Sequence, residues 1–157
     1  MTADKVFSSY ILLRHGLSEA NRDGIIQGQS DYPLAEDAYN EISALIQYWH
    51  SRARRFDRII SSPLLRARET AEQIASAYGL VVEYADIWKE RHHGEAQGVN
   101  YEIARQTISD RQGTSPFEPI FGSGESEWDL HIRASIAVRE MVLLKPGRYL
   151  IVSHGGF

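Results

Sequence analysis

The sequence predicts an α/β fold, a three-layer sandwich in which a mostly parallel central sheet carries helices on both faces. Short apolar runs of strand length alternate along the chain with longer segments in which apolar residues recur at helical spacing. The order is strand, helix, strand, helix, strand, loop, helix, strand. This alternation is typical of parallel strands that are joined by helical crossovers.

Length and composition predict one domain over residues 1–157. A chain of 157 residues, of which 43% are hydrophobic, has enough apolar side chains to build a single core. It contains no internal repeat and no low-complexity tract that would divide it.

The first half of the chain contains two predicted strands. Residues 10–13 form a short apolar run of the kind that a fully buried strand needs, and residues 57–61 form another. Between them, apolar residues recur at helical spacing over about residues 37–54, which predicts a helix with one core-facing stripe. Glycine and proline predict a loop at residues 27–34.

A second helix is predicted directly after residues 57–61. Ser62 can cap backbone amides, and Pro63 suits the first helical position. Gly79 is expected to end this helix. Arg66 therefore lies in the first turn after a strand, where a helix side chain reaches the carboxyl edge of the sheet.

The second half is predicted to contain two further strands and two helices. The strands are expected at residues 80–84 and 149–152. A short helix at about residues 101–108 is followed by a long loop, and loops of that length are usually functional or mobile. Ser126 and Asp129 form a capping box for a helix that runs to about Leu144.

Polar residues follow the first and the last predicted strand. Arg14, His15 and Gly16 end the first strand, and Ser153-His154-Gly155-Gly156 ends the last. The carboxyl ends of strands in open α/β sheets are the usual place for ligands. A lone histidine at a strand end is more often structural, but two imidazoles accompanied by Arg14 and Arg66 favour a functional site.

Composition excludes several classes of protein. A formal net charge of -4 provides no basic field for nucleic acid or for an anionic membrane, so neither is expected as a partner. Without cysteine, the chain has no disulfides and no zinc-thiolate site. No apolar run is long enough to cross a bilayer and no signal segment begins the chain, so the cytoplasm is the expected location. The composition leaves open whether the chain forms a homodimer.

Five motifs occur along the chain in a fixed order. They are R-H-G-x-S-x-x-N at residues 14–21, S-S-P-L-x-R-A-x-x-T-A at residues 61–71, a glutamate followed by G-x-x-x-G at residues 90–98, G-E-S at residues 124–126 and S-H-G-G at residues 153–156. This set resembles the histidine phosphatase superfamily, also called the phosphoglycerate mutase-like family. The resemblance spans almost the whole chain.

The resemblance implies a metal-independent phosphomonoesterase that needs no cofactor and acts on a small phosphorylated substrate. It makes His15 the nucleophile, which forms a phosphohistidine, and Glu90 the group that protonates the leaving alkoxide. His154 is expected to be protonated and to donate to the transferring group. Arg14 and Arg66 are the expected clamp, because guanidinium forks match phosphoryl oxygens. Further substrate contacts are expected from Asn21, Gln27, Gly28 and Gly155.

Two alternatives stay open. The run from Glu90 to Gly94 is similar to the corresponding motif of the mutase branch, which suggests a phosphoglycerate mutase-type phosphotransferase. That branch holds a second acidic group with a lysine and paired arginines, whereas Arg105 and Arg111 are the only cations between residues 98 and 122. The other alternative is a catalytically inactive member that binds anions or a protein partner.

His92 and His93 could also suggest a metal site together with His131. We expect none, because adjacent residues on a chain point apart and no carboxylate spacing supports them. The chain ends at Phe157, directly after S-H-G-G, where family members continue with a helix. We therefore expect that the sequence is truncated and lacks the C-terminal helix of the domain.

Overall fold

A computed structural model describes residues 7–110 and 115–157. Within this part of the chain four strands form one sheet: β1 (Ser9–Arg14), β2 (Arg58–Ser61), β3 (Val82–Tyr84) and β4 (Arg148–Ser153). The strand order is β1-β4-β2-β3 and every pairing is parallel. The predicted parallel sheet is confirmed.

Helices cover both faces of this sheet. The helices of the described residues are α1 (Glu19–Arg22), α2 (Glu36–Ser51), α3 (Leu65–Tyr78), α4 (Tyr101–Asp110) and α5 (Glu127–Val142). Two short 3₁₀ turns, Asp86–Trp88 and Gly94–Ala96, lie between β3 and α4. Helices α2 and α3 pack with β2 and β4 on one face, where Ile59, Leu150 and Val152 are buried. On the other face α5 and Trp88 cover Ile60, Tyr149 and Ile151. The three layers of the predicted sandwich are confirmed.

Strand β1 differs from the prediction of a fully buried strand. It lies at one end of the sheet, and β4 is its neighbour. Ile11 and Leu13 pack against the core under α2 and α3, whereas Leu12 is 57% exposed on the opposite face. Successive strand residues point to opposite faces, so Tyr10 shares the face of Leu12. Tyr10 stacks on Tyr149 and its hydroxyl donates to Met141 O at 3.0 Å, so this face is covered at Tyr10 and open at Leu12. The strand buried on both faces is β4.

The start of α3 also differs from the prediction. Leu64 is the residue at the N-cap, and it makes no side-chain capping bond. The Ser62 hydroxyl does accept from one backbone amide, that of Leu64 at 3.3 Å, and it also lies 2.8 Å from Nε2 of His154 at the edge of the sheet. The predicted end is confirmed, since Gly79 closes α3 in the left-handed conformation with φ 65°.

Several boundaries shift by a few residues. Helix α2 ends three residues before the predicted residue 54, and α4 extends to Asp110. Strand β3 begins at Val82, because the Leu80 amide still donates to Ala75 O of the helix end at 3.0 Å. The capping box of Ser126 and Asp129 at α5 is confirmed. Part of the long loop predicted after residue 108 lies outside the described residues. Among those that are described, no helix is long and apolar enough to cross a bilayer.

Candidate active site

The two histidine motifs meet at the carboxyl edge of the sheet. Parallel pairing sets Arg14 of β1 opposite Ser153 of β4, and the His15 amide donates to Ser153 O at 3.0 Å. The rings of His15 and His154 consequently lie with their centroids 5.1 Å apart. Strand pairing alone therefore brings residues that are far apart in sequence into one site.

His15 is held in a single tautomer. Its Nδ1 lies 2.7 Å from Gly16 O, and a carbonyl can only accept, so Nδ1 carries the proton. Nε2 keeps its lone pair, which accepts from Nε of Arg66 at 3.2 Å. Burial lowers the pKa of His15 to about 4; the Gly16 carbonyl opposes this shift, and Arg66 and Arg14 add to it. At neutral pH His15 is an uncharged imidazole whose lone pair is on Nε2.

Arg66 is almost completely buried in the first turn of α3. Besides its bond to His15, it donates through Nη2 to Gly28 O at 2.8 Å and through Nη1 to Ser30 O at 3.0 Å. Burial lowers the pKa of Arg66 to about 10, so the guanidinium keeps its charge at neutral pH. The loop carbonyls thus fix a cation beside the Nε2 atom of His15.

The loop of residues 27–30 supports Arg66. Gly28 has φ 51°, and a Cβ there would lie 2.2 Å from Oε1 of Gln97, so a side chain does not fit. Gln27 is buried, and its Oε1 lies 2.8 Å from the Ser18 hydroxyl. Both residues line the cavity onto which His15 and Arg66 open, and the carbonyl of Gly28 also orients Arg66. Their contact with a substrate stays a prediction.

His154 is buried among several positively charged side chains, and both the burial and these charges determine its ionisation. Burial, together with the charges of Arg66 and of the neighbouring histidine and arginines, lowers its pKa to about 2. At neutral pH His154 is therefore an uncharged imidazole here, and its protonation beside a transferring phosphoryl group stays a prediction. Nε2 contacts the hydroxyl of Ser62, while Nδ1 is buried without a hydrogen-bond partner among the described residues. A phosphoryl dianion beside it would favour the charged form.

Arg14 lies at the end of β1, where its guanidinium rests against the backbone of Gly155. A Cβ at Gly155 would stand 3.1 Å from Cζ of Arg14, closer than nearly all such contacts in proteins. Gly155 was predicted to touch the substrate, and the contact that it makes here is with Arg14. Its missing side chain allows Arg14 to reach the cavity that it lines with His15.

Glu90 belongs to the same cavity and is joined to the S-H-G-G turn. Its Oε2 accepts from the Gly156 amide at 3.2 Å, and its Oε1 accepts from the Arg91 amide at 2.8 Å. A Cβ at Gly156 would lie 2.5 Å from Oε1. A side chain at either glycine after His154 would therefore press on the end of a charged side chain, and glycine allows the close approach.

Asn21 caps the short helix α1. Its Oδ1 accepts from the Ser18 hydroxyl at 2.9 Å, and its own amide donates to that hydroxyl at 3.1 Å. Asn21 also lines the cavity. Because Oδ1 is used by the cap, Nδ2 is the group that Asn21 can offer to an anion.

Arg133 and Glu125 support the segment that carries Glu90, a role that the sequence motifs did not predict. Arg133 of α5 forms a bidentate ion pair with Glu125, with Nε to Oε1 at 2.7 Å and Nη2 to Oε2 at 2.8 Å. Its Nη1 donates to the carbonyls of Ile87 and Lys89 at 3.0 and 2.6 Å, and Nη2 donates to Glu90 O at 3.2 Å. An arginine on the inward face of α5, near Ala137, was the available signal.

The histidines considered as metal ligands have other contacts. Nδ1 of His92 accepts from the Gly94 amide at 3.1 Å, and His131 stacks on Trp128 at 5.7 Å between ring centroids. Across residues 7–110 and 115–157, no group of three or more potential metal-binding side chains occurs.

Comparison with known proteins identifies the family. Residues 10–157 match the model of the histidine phosphatase superfamily (branch 1), and the chain belongs to this family. It is 36% identical over 145 residues to the uncharacterized phosphatase PhoE of Bacillus subtilis (strain 168), which covers 92% of this chain and 70% of that protein. It is 34% identical over 148 residues to the probable phosphoglycerate mutase GpmB of Photorhabdus laumondii subsp. laumondii, covering 92% and 68%.

Solved structures agree with this assignment. A mycobacterial glucosyl-3-phosphoglycerate phosphatase in complex with VO3 superimposes with a TM-score of 0.76 at 29% identity, over 92% of this chain and 75% of that chain. This chain therefore spans between two thirds and three quarters of the length of each of these proteins. The relatives include proteins named as phosphatases and as mutases.

Proposed function

We propose that this chain is a metal-independent phosphomonoesterase that acts through a phosphohistidine at His15. The observation that carries the proposal is the state of the His15 ring. Nε2 is uncharged, lies in a cavity and stands beside the charged guanidinium of Arg66, while Gly16 O fixes the tautomer. These are the requirements for a nitrogen nucleophile that attacks an anionic phosphoryl group.

The first half-reaction begins with an exchange of hydrogen bonds. Nε of Arg66 donates to the Nε2 lone pair in the free site, so the lone pair becomes available when Arg66 turns this donor to a phosphoryl oxygen. Nε2 of His15 then bonds to phosphorus as the ester P–O bond breaks. The leaving oxygen keeps the bonding electron pair and takes a proton from Glu90.

The second half-reaction returns the enzyme to its starting state. Glu90, now a carboxylate, accepts a proton from a water molecule whose oxygen attacks phosphorus. The P–N bond breaks and its electrons return to Nε2 of His15, which releases inorganic phosphate. Arg14 and Arg66 balance the charge of the equatorial oxygens in both steps. Two guanidinium groups at this place support a mechanism without a metal ion.

The phosphoglycerate mutase-type alternative has less support. A mutase must hold a second acidic group, yet the described cavity lining contains two arginines, Arg14 and Arg66, and no lysine. Both arginines belong to the part of the cavity that holds His15 and Glu90. The similarity to a protein named as a probable mutase keeps this alternative testable, and so does the alternative of an inactive anion-binding member.

Turnover and trapping of the intermediate test the proposal. The wild-type protein is expected to hydrolyse nitrophenyl phosphate in the presence of a chelator, and rapid quench is expected to yield an acid-labile, alkali-stable phosphoprotein. His15→Ala should abolish both signals, whereas His50→Ala, an exposed histidine of α2, should retain them. Normal turnover by His15→Ala would contradict the proposal.

A further inference from the structure

The cavity has two chemically different parts. Its phosphoryl end holds His15, Arg14, Arg66 and Glu90. The remainder is bounded mainly by five apolar or aromatic residues, which we call the apolar wall: Ile25, Ile26, Tyr101, Ile120 and Phe121. The whole cavity measures about 400 Å³. This lies within the range of ~300–1,000 Å³ that small-molecule sites occupy, so the cavity can hold an organic group in addition to the phosphate.

One side of the apolar wall is fixed by backbone pairing. Ile25 forms an antiparallel bridge with Asn100, and the Ile26 amide donates to Val99 O at 2.9 Å. The Tyr101 amide donates to Gly24 O at 2.8 Å. The isoleucines and the tyrosine are therefore held in a set relation to one another before any ligand binds.

The other side is anchored through the carbonyl of Phe121. The Gly124 amide donates to this carbonyl at 3.2 Å. A Cβ at Gly94 would lie 2.1 Å from the same oxygen, so the backbone at Gly94 packs directly against it. The loop that carries Phe121 is thus joined to the segment that follows Glu90.

Positive charge is confined to the phosphoryl end among the described lining residues. Three of the donors of Arg66 already contact His15, Gly28 and Ser30. His93 lines the cavity too, but burial lowers its pKa, which Glu90 only partly offsets, so it is no cation at neutral pH. A second phosphate or a carboxylate against the apolar wall would lose its hydration without forming an ion pair with any of the described lining residues.

We propose that the substrate is a phosphomonoester whose alcohol part is uncharged and mainly apolar, an alkyl or aryl group that packs against Ile25, Ile26 and Phe121. This inference rests on the proposed phosphatase function, because it assigns the phosphate to the end that holds His15. Apolar contact contributes through the area removed from water and needs no further charged partner.

A matched series of alkyl phosphates tests this inference. Ethyl phosphate, hexyl phosphate and the phosphate of ω-hydroxyhexanoate all release primary alcohols, so the leaving groups are comparable and the tails differ. We expect kcat/KM to be about 10- to 100-fold higher for hexyl than for ethyl phosphate, as several methylene groups leave water. The carboxylated ester should fall below hexyl phosphate by a similar factor.

Two phenylalanines of the same loop provide the matched variants. Phe121→Ala should lower kcat/KM for hexyl phosphate more than for ethyl phosphate. Phe117→Ala should leave both unchanged, because Phe117 is exposed, contacts Trp128 and does not line the cavity. Thermal unfolding of both variants separates a lost contact from a lost fold.

The outcomes separate this inference from the proposed function. Hydrolysis of all three esters at equal kcat/KM would overturn the inference and leave the phosphatase function intact. If no ester is hydrolysed, the phosphatase function fails, and calorimetric binding of the same esters decides the inference. Tighter binding of hexyl phosphate than of ethyl phosphate or the carboxylated ester would support it, and equal binding would overturn it.

Discussion

Arg66 and His15 form one hydrogen-bonded unit at the scale of single residues. The guanidinium donates to Nε2 of His15 and to the carbonyls of Gly28 and Ser30. Its planar fork makes three contacts with fixed directions, and a lysine ammonium cannot reproduce them from one atom. The position of the charge, as well as its presence, therefore depends on arginine.

Arg66→Lys is expected to lower kcat by about 10²–10³-fold, the usual effect of losing one preorganised donor to a transition state. The variant keeps a positive charge, so a loss of this size would be due to the geometry of the guanidinium fork and not to its charge. Arg68→Lys, on the same helix but with a side chain that is 46% exposed, is the control and should behave as wild type. Steady-state hydrolysis of nitrophenyl phosphate checks both, and wild-type activity of Arg66→Lys would contradict the role of the fork.

The ionisation of His15 gives a second prediction at this scale. Burial lowers its pKa from 6.5 to about 4, so the unfolded chain binds this proton at a higher pH than the folded protein. The free energy of unfolding should consequently fall as the pH decreases from 6.5 to about 4. Proton NMR should place the midpoint of His15 near 4 in the folded protein and near 6.5 in denaturant. A folded-state midpoint near 6.5 would show that the ring is hydrated.

At the scale of secondary structure, α5 supports the segment that carries Glu90. Arg133 joins the carbonyls of Ile87, Lys89 and Glu90 to the carboxylate of Glu125. The side chains of the ion pair are about one fifth exposed, so water screens them only in part. The helix thus holds the backbone at Glu90 through directional bonds to several neighbouring carbonyls.

Arg133→Lys should impair the proton transfer that we assign to Glu90. A lysine cannot bridge the carbonyls and the carboxylate together, so Glu90 would occupy a wider range of positions. A poor leaving group needs a proton, and general acids typically contribute about 10²–10⁴-fold, whereas nitrophenolate leaves with little help. We expect a larger loss of phosphorylation rate on ethyl phosphate than on nitrophenyl phosphate, in the same direction as Glu90→Gln.

Rapid quench on both esters measures that step. Arg139→Lys, an exposed arginine of the same helix, provides the control and should leave both rates unchanged. An equal loss on both esters would mean that Arg133 only stabilises the fold, and an equal loss for Glu90→Gln would make Glu90 a residue that orders the loop.

At the scale of the whole molecule, sequence patterns predicted which helices and strands form. They predicted less well which of these elements lie next to each other. Helical spacing located α2 and α3, and the capping box of Ser126 located the start of α5. Strand order cannot be inferred from such patterns, because an apolar run of four residues looks the same whether the strand lies at the edge or at the centre of a sheet. For that reason β1 was expected to be as buried as β4.

A site residue could be predicted where one motif contains the residue and also indicates its position in the fold. Arg14 and His15 at a strand end and Arg66 in a first helical turn line one cavity, as expected, and Glu90, which only the family resemblance indicated, lines it too. The charge of His154 could not be predicted, because it depends on burial and on the field of several cations. The pairing of Arg133 with Glu125 could not be predicted either, since it requires knowledge of which face of α5 meets the segment at Glu90.

The stability of the whole molecule should depend on β4 far more than on β1. Leu150 is completely buried at the centre of the sheet, where it pairs with Ile11 on one side and Ile59 on the other. Leu12 is 57% exposed. Leu150→Ala should reduce the free energy of unfolding by about 2–5 kcal/mol, because it opens a cavity that the close-packed core cannot fill. Leu12→Ala should change it by no more than about 0.5 kcal/mol, as is usual for exposed positions.

Urea unfolding followed by circular dichroism measures both variants, and equal dependence on urea concentration indicates that the unfolded states are alike. The two substitutions remove the same atoms from two neighbouring strands, so chain entropy and side-chain chemistry are matched. The difference between the two variants then reports how much apolar surface each leucine buries in solution. If Leu12→Ala were as destabilising as Leu150→Ala, Leu12 would have to be covered in solution, and this face of β1 would not be open at Leu12.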